Sequence, residues 1–392
     1  MQTTIWGIFC ACSWTWCIGM YMPIIMINRL GWLGFAAFAI PNVIGCAAFG
    51  YRMRNSNTSR AMLSVPAHRR VAIAFSIITI AFHLFFLSFL AHHVLRSLHI
   101  NAFDVEADLR GAASIAIPIV MFAMCLGLSF LGNRTWLILS VLTYALSITT
   151  LIILFNRNGT DFLTFDLASL TGGAPIDLIW VLPALCFGFL LCPYLDLTFH
   201  RALAESPSRH AFLIFSLAFT VMLILTVVMW LSDTSLALLA VVHIAAQSVF
   251  TMGAHMREVR ERFDDDDDTA TSAMSREIVL FLPLLAIAIL PLMNVAGHAS
   301  SGEAEDMYLR WFVFYGLVFP GYVLLFLRKD SMGNWSRPRP NMLIAAAGVM
   351  IALMPCYEFA FLHQRRMWLL AIPMALAALF AIFGRRNAKL AT

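Results

Sequence analysis

Few side chains in this sequence can do chemistry, and those that can are set inside long apolar runs. His83 and His243 each stand near the middle of such a run, Asp196 follows Pro193 by three residues, and His200 comes one helical turn later. Imidazole changes charge near physiological pH and a carboxylate can share its proton, so these four residues are candidates for moving protons through apolar surroundings. Ser248 and Thr251 are spaced i and i+3, which sets both hydroxyls on one helix face as oxygens for a hard cation such as sodium. Each has a plainer reading beside it. A histidine can sit neutral between helices, Asp196 and His200 can pair at the membrane edge, and a hydroxyl can bond back to its own helix. Trp16 and Tyr21, on either side of Gly19, are placed to line a pocket for a small solute.

No pattern points to covalent or metal chemistry. The eight cysteines form no CxxC pair and stand in no zinc-like spacing with histidine, so they read as small apolar packing residues. The five aspartates from Asp264 to Asp268 lack the spaced ligands of a calcium loop and read as a solvated connector. Asp104, Glu106 and Asp108 alternate in another loop, again read as solvated. Asp177 and Arg310 fall at helix ends, where they could gate or simply meet water, and Glu358 falls outside the expected core.

The elements that hold these residues follow from composition. A soluble domain is about 45–50% apolar and about 25% charged; this chain of 392 residues is 61% apolar and 12% charged. Twelve spans of ~20 residues would take roughly 240 positions, close to that apolar share. A secreted domain, a cytosolic enzyme and a nucleic-acid module are excluded. The runs are Ile5–Ile27, Trp32–Tyr51, Val71–Val94, Ala112–Leu131, Trp136–Phe155, Ile176–Leu195, Ala211–Leu231, Leu236–His255, Ile278–Val295, Leu309–Leu327, Met342–Leu362 and Met367–Phe383. None alternates as a barrel strand would, so they read as helices. The N-terminus has no signal-peptide pattern, so its first run is expected to be retained. With the N-terminus inside, nineteen Lys and Arg residues fall in inner loops and seven in outer ones. That bias predicts both termini in the cytoplasm, and the setting is expected to be a bacterial inner (plasma) membrane.

Two runs carry interruption signals. The first contains Gly19 and Pro23; the sixth contains Gly188 and Pro193. Proline removes a backbone donor and glycine tolerates the freed conformation, so a broken helix is expected at both places. Five crossings separate them, which inverts the second relative to the first. Paired breaks of this kind mark inverted-repeat transporters, with the binding site between them.

On these features the chain resembles the five-plus-five inverted-repeat fold of the leucine transporter and the amino acid–polyamine–organocation superfamily, nearest to the sodium:solute symporters. The stretch from Pro193 to Ala204 is similar to the "QR.LA" segment after the broken sixth helix of those symporters, with His200-Arg201 in place of Gln-Arg. Pro41-Asn42 and Gly45 are compatible with the early hairpin. The resemblance implies a ten-helix core over residues 1–327, with repeats at about 5–155 and 176–327, and two peripheral helices and a tail over 328–392. It also implies that the third and eighth helices, which carry His83 and His243, flank the breaks. It puts a sodium ion, the one cofactor the pattern allows, between first-helix carbonyls around Trp16 to Gly19 and the hydroxyls of Ser248 and Thr251. Met252 stands where a second adjacent hydroxyl is often found.

The leading expectation is a secondary transporter, not an enzyme, moving a small polar solute by alternating access with sodium or protons. Its site would comprise Trp16, Gly19, Tyr21, His83, Gly188 and His243 for the solute, and Ser248, Thr251 and Asp196 for the ion. The rivals are a non-transporting sensor of the same fold and a membrane enzyme acting on lipid-linked sugars. The enzyme reading needs acidic residues beside a large outer domain, and the longest outer loop carries only Asp161 and Asp166. The topology has a direct test. A cysteine replacing Asp166 should react with an impermeant thiol reagent from outside, and one replacing Asp266 only from inside; the reverse at either position overturns the orientation.

Overall fold

The computed structural model describes residues 1–99, 107–158, 176–231, 237–264, 289–290, 292–294, 300–330, 332–363 and 366–390. With no water in a bilayer core, apolar runs must satisfy their own backbone, and here they do so as helices. The described residues form an all-α membrane protein. Nine of their helices are long and apolar enough to cross a membrane. The expected ninth run, the acidic stretch Asp104–Glu106, the aspartates after Asp264, and Asp161 with Asp166 lie wholly or mostly outside the described residues.

In chain order the helices are α1 (Gln2–Trp14), α2 (Cys17–Met53), α3 (Ser56–Leu63), α4 (Pro66–His99), α5 (Ala107–Leu128), α6 (Asn133–Asn158) and α7 (Asp177–Leu191). After α7 comes a 3-10 turn over Cys192–Leu195. It is followed by α8 (Leu197–Glu205), α9 (Ala211–Leu231), α10 (Ala237–Asp264) and α11 (Ser301–Val313). A π-helical segment, Phe314–Val318, joins α11 to α12 (Phe319–Phe326); α13 (Pro340–Glu358) and α14 (Ala371–Leu390) complete the chain.

Helix α2 is two helices in one. Gly31 takes φ 67°, which an L side chain rarely adopts, and turns the chain between the runs expected as the first and second spans. The core lies where α1 packs on α9 and α6, α2 on α9 and α7, and α10 on α4, α5 and α6. Exposed apolar side chains lie along α5, α6 and α13, among them Val120, Leu142 and Ile344, a surface suited to lipid rather than water.

The first interruption is not at Gly19–Pro23. Both residues sit inside α2, and the chain leaves helical geometry earlier, at Thr15 and Trp16. The reason is local. Pro23 has no N–H for the carbonyl of Gly19, four residues back, but the Thr226 hydroxyl on α9 donates to that carbonyl at 3.0 Å. A proline whose missing bond is replaced from a neighbour leaves the helix intact. Pro320 is treated in the same way: the carbonyl of Gly316 accepts from the Tyr357 hydroxyl at 2.5 Å.

The closest approach between helices occurs at Gly45. A Cβ there would lie 2.1 Å from the backbone oxygen of Phe189 on α7, so α2 and α7 touch main chain to main chain. Gly348 on α13 has nothing within 4 Å of the same position. Gly45→Ala should therefore destabilise the protein by about 1–3 kcal/mol through overpacking. Gly348→Ala should be neutral or stabilise by up to about 1 kcal/mol. Equilibrium unfolding in mixed micelles distinguishes them, and equal effects would refute the close contact.

Candidate functional site

The two interruptions meet. In the first, Thr15 and Trp16 link α1 to α2; in the second, Asp196 (φ −78°, ψ 109°) links the 3-10 turn to α8. Asp196 caps α8, its Oδ1 accepting from the Thr198 N–H at 2.7 Å and the Thr198 hydroxyl at 2.6 Å. The Thr198 hydroxyl also lies 2.9 Å from Ser13 Oγ, one turn before the first break. A single hydroxyl thus touches the residues that flank both breaks.

A break strands carbonyls, and here side chains reclaim them. The Cys12 carbonyl accepts from the Gln247 amide and from the Thr251 hydroxyl, the latter at 3.0 Å. The indole N–H of Trp16 folds back onto the Ser13 carbonyl at 2.7 Å. Past the break, Tyr308 donates to the Cys17 carbonyl at 3.0 Å and Trp230 to that of Met20 at 2.8 Å. Trp14 donates to Asn42 Oδ1 at 2.7 Å, which ties α1 to the second half of α2. Around these bonds stands an aromatic wall: Trp16 lies against Trp14, Phe75 and Tyr315, with ring centres 4.2–5.1 Å away.

Several polar atoms in this region are buried with no hydrogen-bond partner among the described residues. They are Asp196 Oδ2, His83 Nε2, His255 Nε2, Gln247 Oε1 and Ser248 Oγ. His255, on α10, faces Asp196 Oδ2 at 3.9 Å through Nε2, and its Nδ1 lies 3.0 Å from Ser76 Oγ on α4. His83 donates from Nδ1 to its own helix at Thr79, 2.8 Å away. Among the described residues no three His, Cys, Asp or Glu side chains gather as a metal-binding group.

The expected site residues divide. Trp16, Asp196 and Thr251 lie at the breaks or bond to them, and Ser248 is fully buried one turn from Thr251. Thr251 faces the Cys12 carbonyl, one turn before the Trp16–Gly19 stretch expected to face it. Gly19 contributes its carbonyl to Thr226. Tyr21 packs on Trp230 and Tyr308, further along α2. Gly188 is a packing residue: its Cβ position would lie 2.7 Å from the carbonyl oxygen of Tyr315. His243 turns to α6, with Nδ1 3.2 Å from Ser147 Oγ. His200 does not share a proton with Asp196; its two nitrogens meet Ser59 Oγ at 2.6 Å and the Tyr194 carbonyl at 3.0 Å. The imidazole opposite the carboxylate is His255. Sequence reasoning placed His255 at the end of a run and passed over it, although it lies one helical turn after Thr251, on the face already singled out.

Ion pairs stand at both ends of the bundle. Near the Gly31 turn, Arg29 pairs with Glu305 at 2.9 Å and donates to the Phe361 carbonyl at 2.7 Å; Arg310 pairs with Glu358 at 2.7 Å. At the other end, Arg201 on α8 binds Glu258 and Glu261 on α10, and Arg257 binds Glu261 at 2.8 Å and Asn133. Compared with models of known protein families and with curated proteins, the chain matches none.

The Trp14–Asn42 bond has a testable weight. Asn42→Leu leaves a buried indole N–H without its acceptor and should cost about 1–3 kcal/mol of stability. Trp14→Phe in the Asn42→Leu background should cost less than the sum of the two single changes. Additive losses in the double-mutant cycle would show that the bond does not link the helices energetically.

Proposed function

We propose that the protein is a secondary transporter that carries a small polar solute across the membrane by alternating access, coupled to sodium or protons. The observation that carries this reading is the contact between the two interruptions, with the Thr198 hydroxyl 2.9 Å from Ser13 Oγ. Broken helices whose ends meet in a buried polar centre give a solute backbone and side-chain groups that continuous helices keep bonded. On this reading α1 with the first half of α2, and α7 with α8, are the first helices of two five-helix repeats of opposite orientation. The core then spans residues 1–327, with α13 and α14 peripheral, and the resemblance to the leucine transporter extends to architecture.

The two ends of the bundle support the same reading. The Arg29–Glu305 pair would close one entrance and the Arg201–Glu258–Glu261 cluster the other, with the centre between them fully buried. Alternating access needs closures that open in turn, and exposed or half-exposed ion pairs can be exchanged for water at modest cost. For sodium, the nearby oxygens are Thr251 Oγ1, Ser248 Oγ and Gln247 Oε1; for protons, the groups are Asp196, His255 and His83.

The test is counterflow in proteoliposomes across a panel of labelled small polar solutes, with and without sodium and a pH gradient. At least one solute should show saturable exchange. Thr198→Val, which removes the hydroxyl joining the breaks, should reduce that exchange about tenfold, the scale of a 1.4 kcal/mol change. Saturable binding without exchange for any solute would replace transport with sensing.

A further inference from the structure

We propose that the coupling ion is a proton and that it binds between Asp196 Oδ2 and His255 Nε2, a step that rests on the transport reading. Asp196 Oδ1 takes both bonds from Thr198, while Oδ2 and His255 Nε2 face each other at 3.9 Å with no other partner among the described residues. Both side chains are fully buried. A buried polar atom without a partner is costly, and a buried charge more so. One proton resolves both: on the carboxyl it removes the charge and supplies a donor for Nε2. Ser76, beside Nδ1, fixes Nε2 as the nitrogen that faces the acid. Binding and release make and break only an O–H or N–H bond, with the proton taken from water on one side and returned to water on the other.

The neighbours limit how many protons the centre holds. The titratable groups facing the pair are Cys10 on α1, Cys46 on α2, His83 on α4, Cys192 in the 3-10 turn, Glu258 on α10 and Tyr315 in the π segment. Glu258 is already bonded by Arg201. His83 acts on His255 as a like charge, so protonating both imidazoles is disfavoured and the centre takes one proton at a time. Sodium is less well served. The Cys12 carbonyl opposite Thr251 has two lone pairs, and the Gln247 amide and Thr251 hydroxyl use both.

The proton also has a route to the fold. Asp196 is the N-cap of α8, and a carboxylate caps a helix N-terminus better than a neutral acid does. Its charge therefore sets how firmly α8 is held at the break, and Thr198 passes that to Ser13 on α1.

Proton binding can be read on the full-length protein in lipid nanodiscs with no solute present, by infrared difference spectra across a pH titration. Wild type should show a protonated-carboxyl band that Asp196→Asn removes, and His255→Gln should move its midpoint by about one pH unit or more. An Asp196→Asn spectrum that superposes on wild type overturns the proposal, as does an unmoved midpoint in His255→Gln. If Asp196→Asn does not fold, the His255→Gln midpoint carries the test alone. Because no solute is needed, a protein that binds this proton but exchanges nothing would defeat the transport reading and leave the site standing. Exchange that persists with wild-type titration in both variants would do the opposite.

Discussion

A peptide group inside a bilayer has no water to turn to, so a helix can be interrupted there only where the protein itself replaces the lost bonds. The interior of this protein is arranged around that constraint. Gln247 and Thr251 come to Cys12, Trp16 to Ser13, Tyr308 to Cys17, Thr226 to Gly19 and Trp230 to Met20. The donors come chiefly from α9, α10 and α11, which must therefore pack against α1 and the first half of α2. The break and the bundle around it are one structure. Removing any of these donors would weaken both a carbonyl's hydrogen bonding and a helix–helix contact.

The same constraint divides glycine and proline positions into two kinds. Pro23 and Pro320 each leave a carbonyl short of a donor, and each finds a hydroxyl from another helix, so neither ends its helix. Gly45 and Gly188 allow main chain to approach main chain, α2 to α7 and α7 to the π segment. Gly31 alone in the membrane region uses its freedom to turn. A proline or glycine in an apolar run thus marks a place where a neighbour comes near, and only sometimes a place where the chain bends.

This explains what could be read from the sequence. The apolar fraction and the length of the runs are properties of single segments, and they translate into helices. The second interruption was visible because Pro193 and Asp196 form the turn and cap that act there. The first was assigned to Gly19–Pro23, since nothing in Trp14-Thr15-Trp16 signals a break; it exists because donors on α10 wait for the carbonyls it frees. His255 was missed for a related reason. Its partner Asp196 is 59 positions away, and only the packing of α8 on α10 brings them together.

The π segment at Phe314–Val318 gives one stretch of this protein an unusual arithmetic. A π turn holds one residue more than the α turn it replaces, and here its residues Tyr315 and Gly316 meet Thr79, Cys192 and Tyr357. A chain one residue shorter in this stretch would close as plain α-helix and swing everything beyond it through about 100°. Tyr322, now 2.7 Å from His68 on α4, would face elsewhere. Insertions and deletions are usually absorbed by loops, but in this helix even a single lost codon would be a change of architecture.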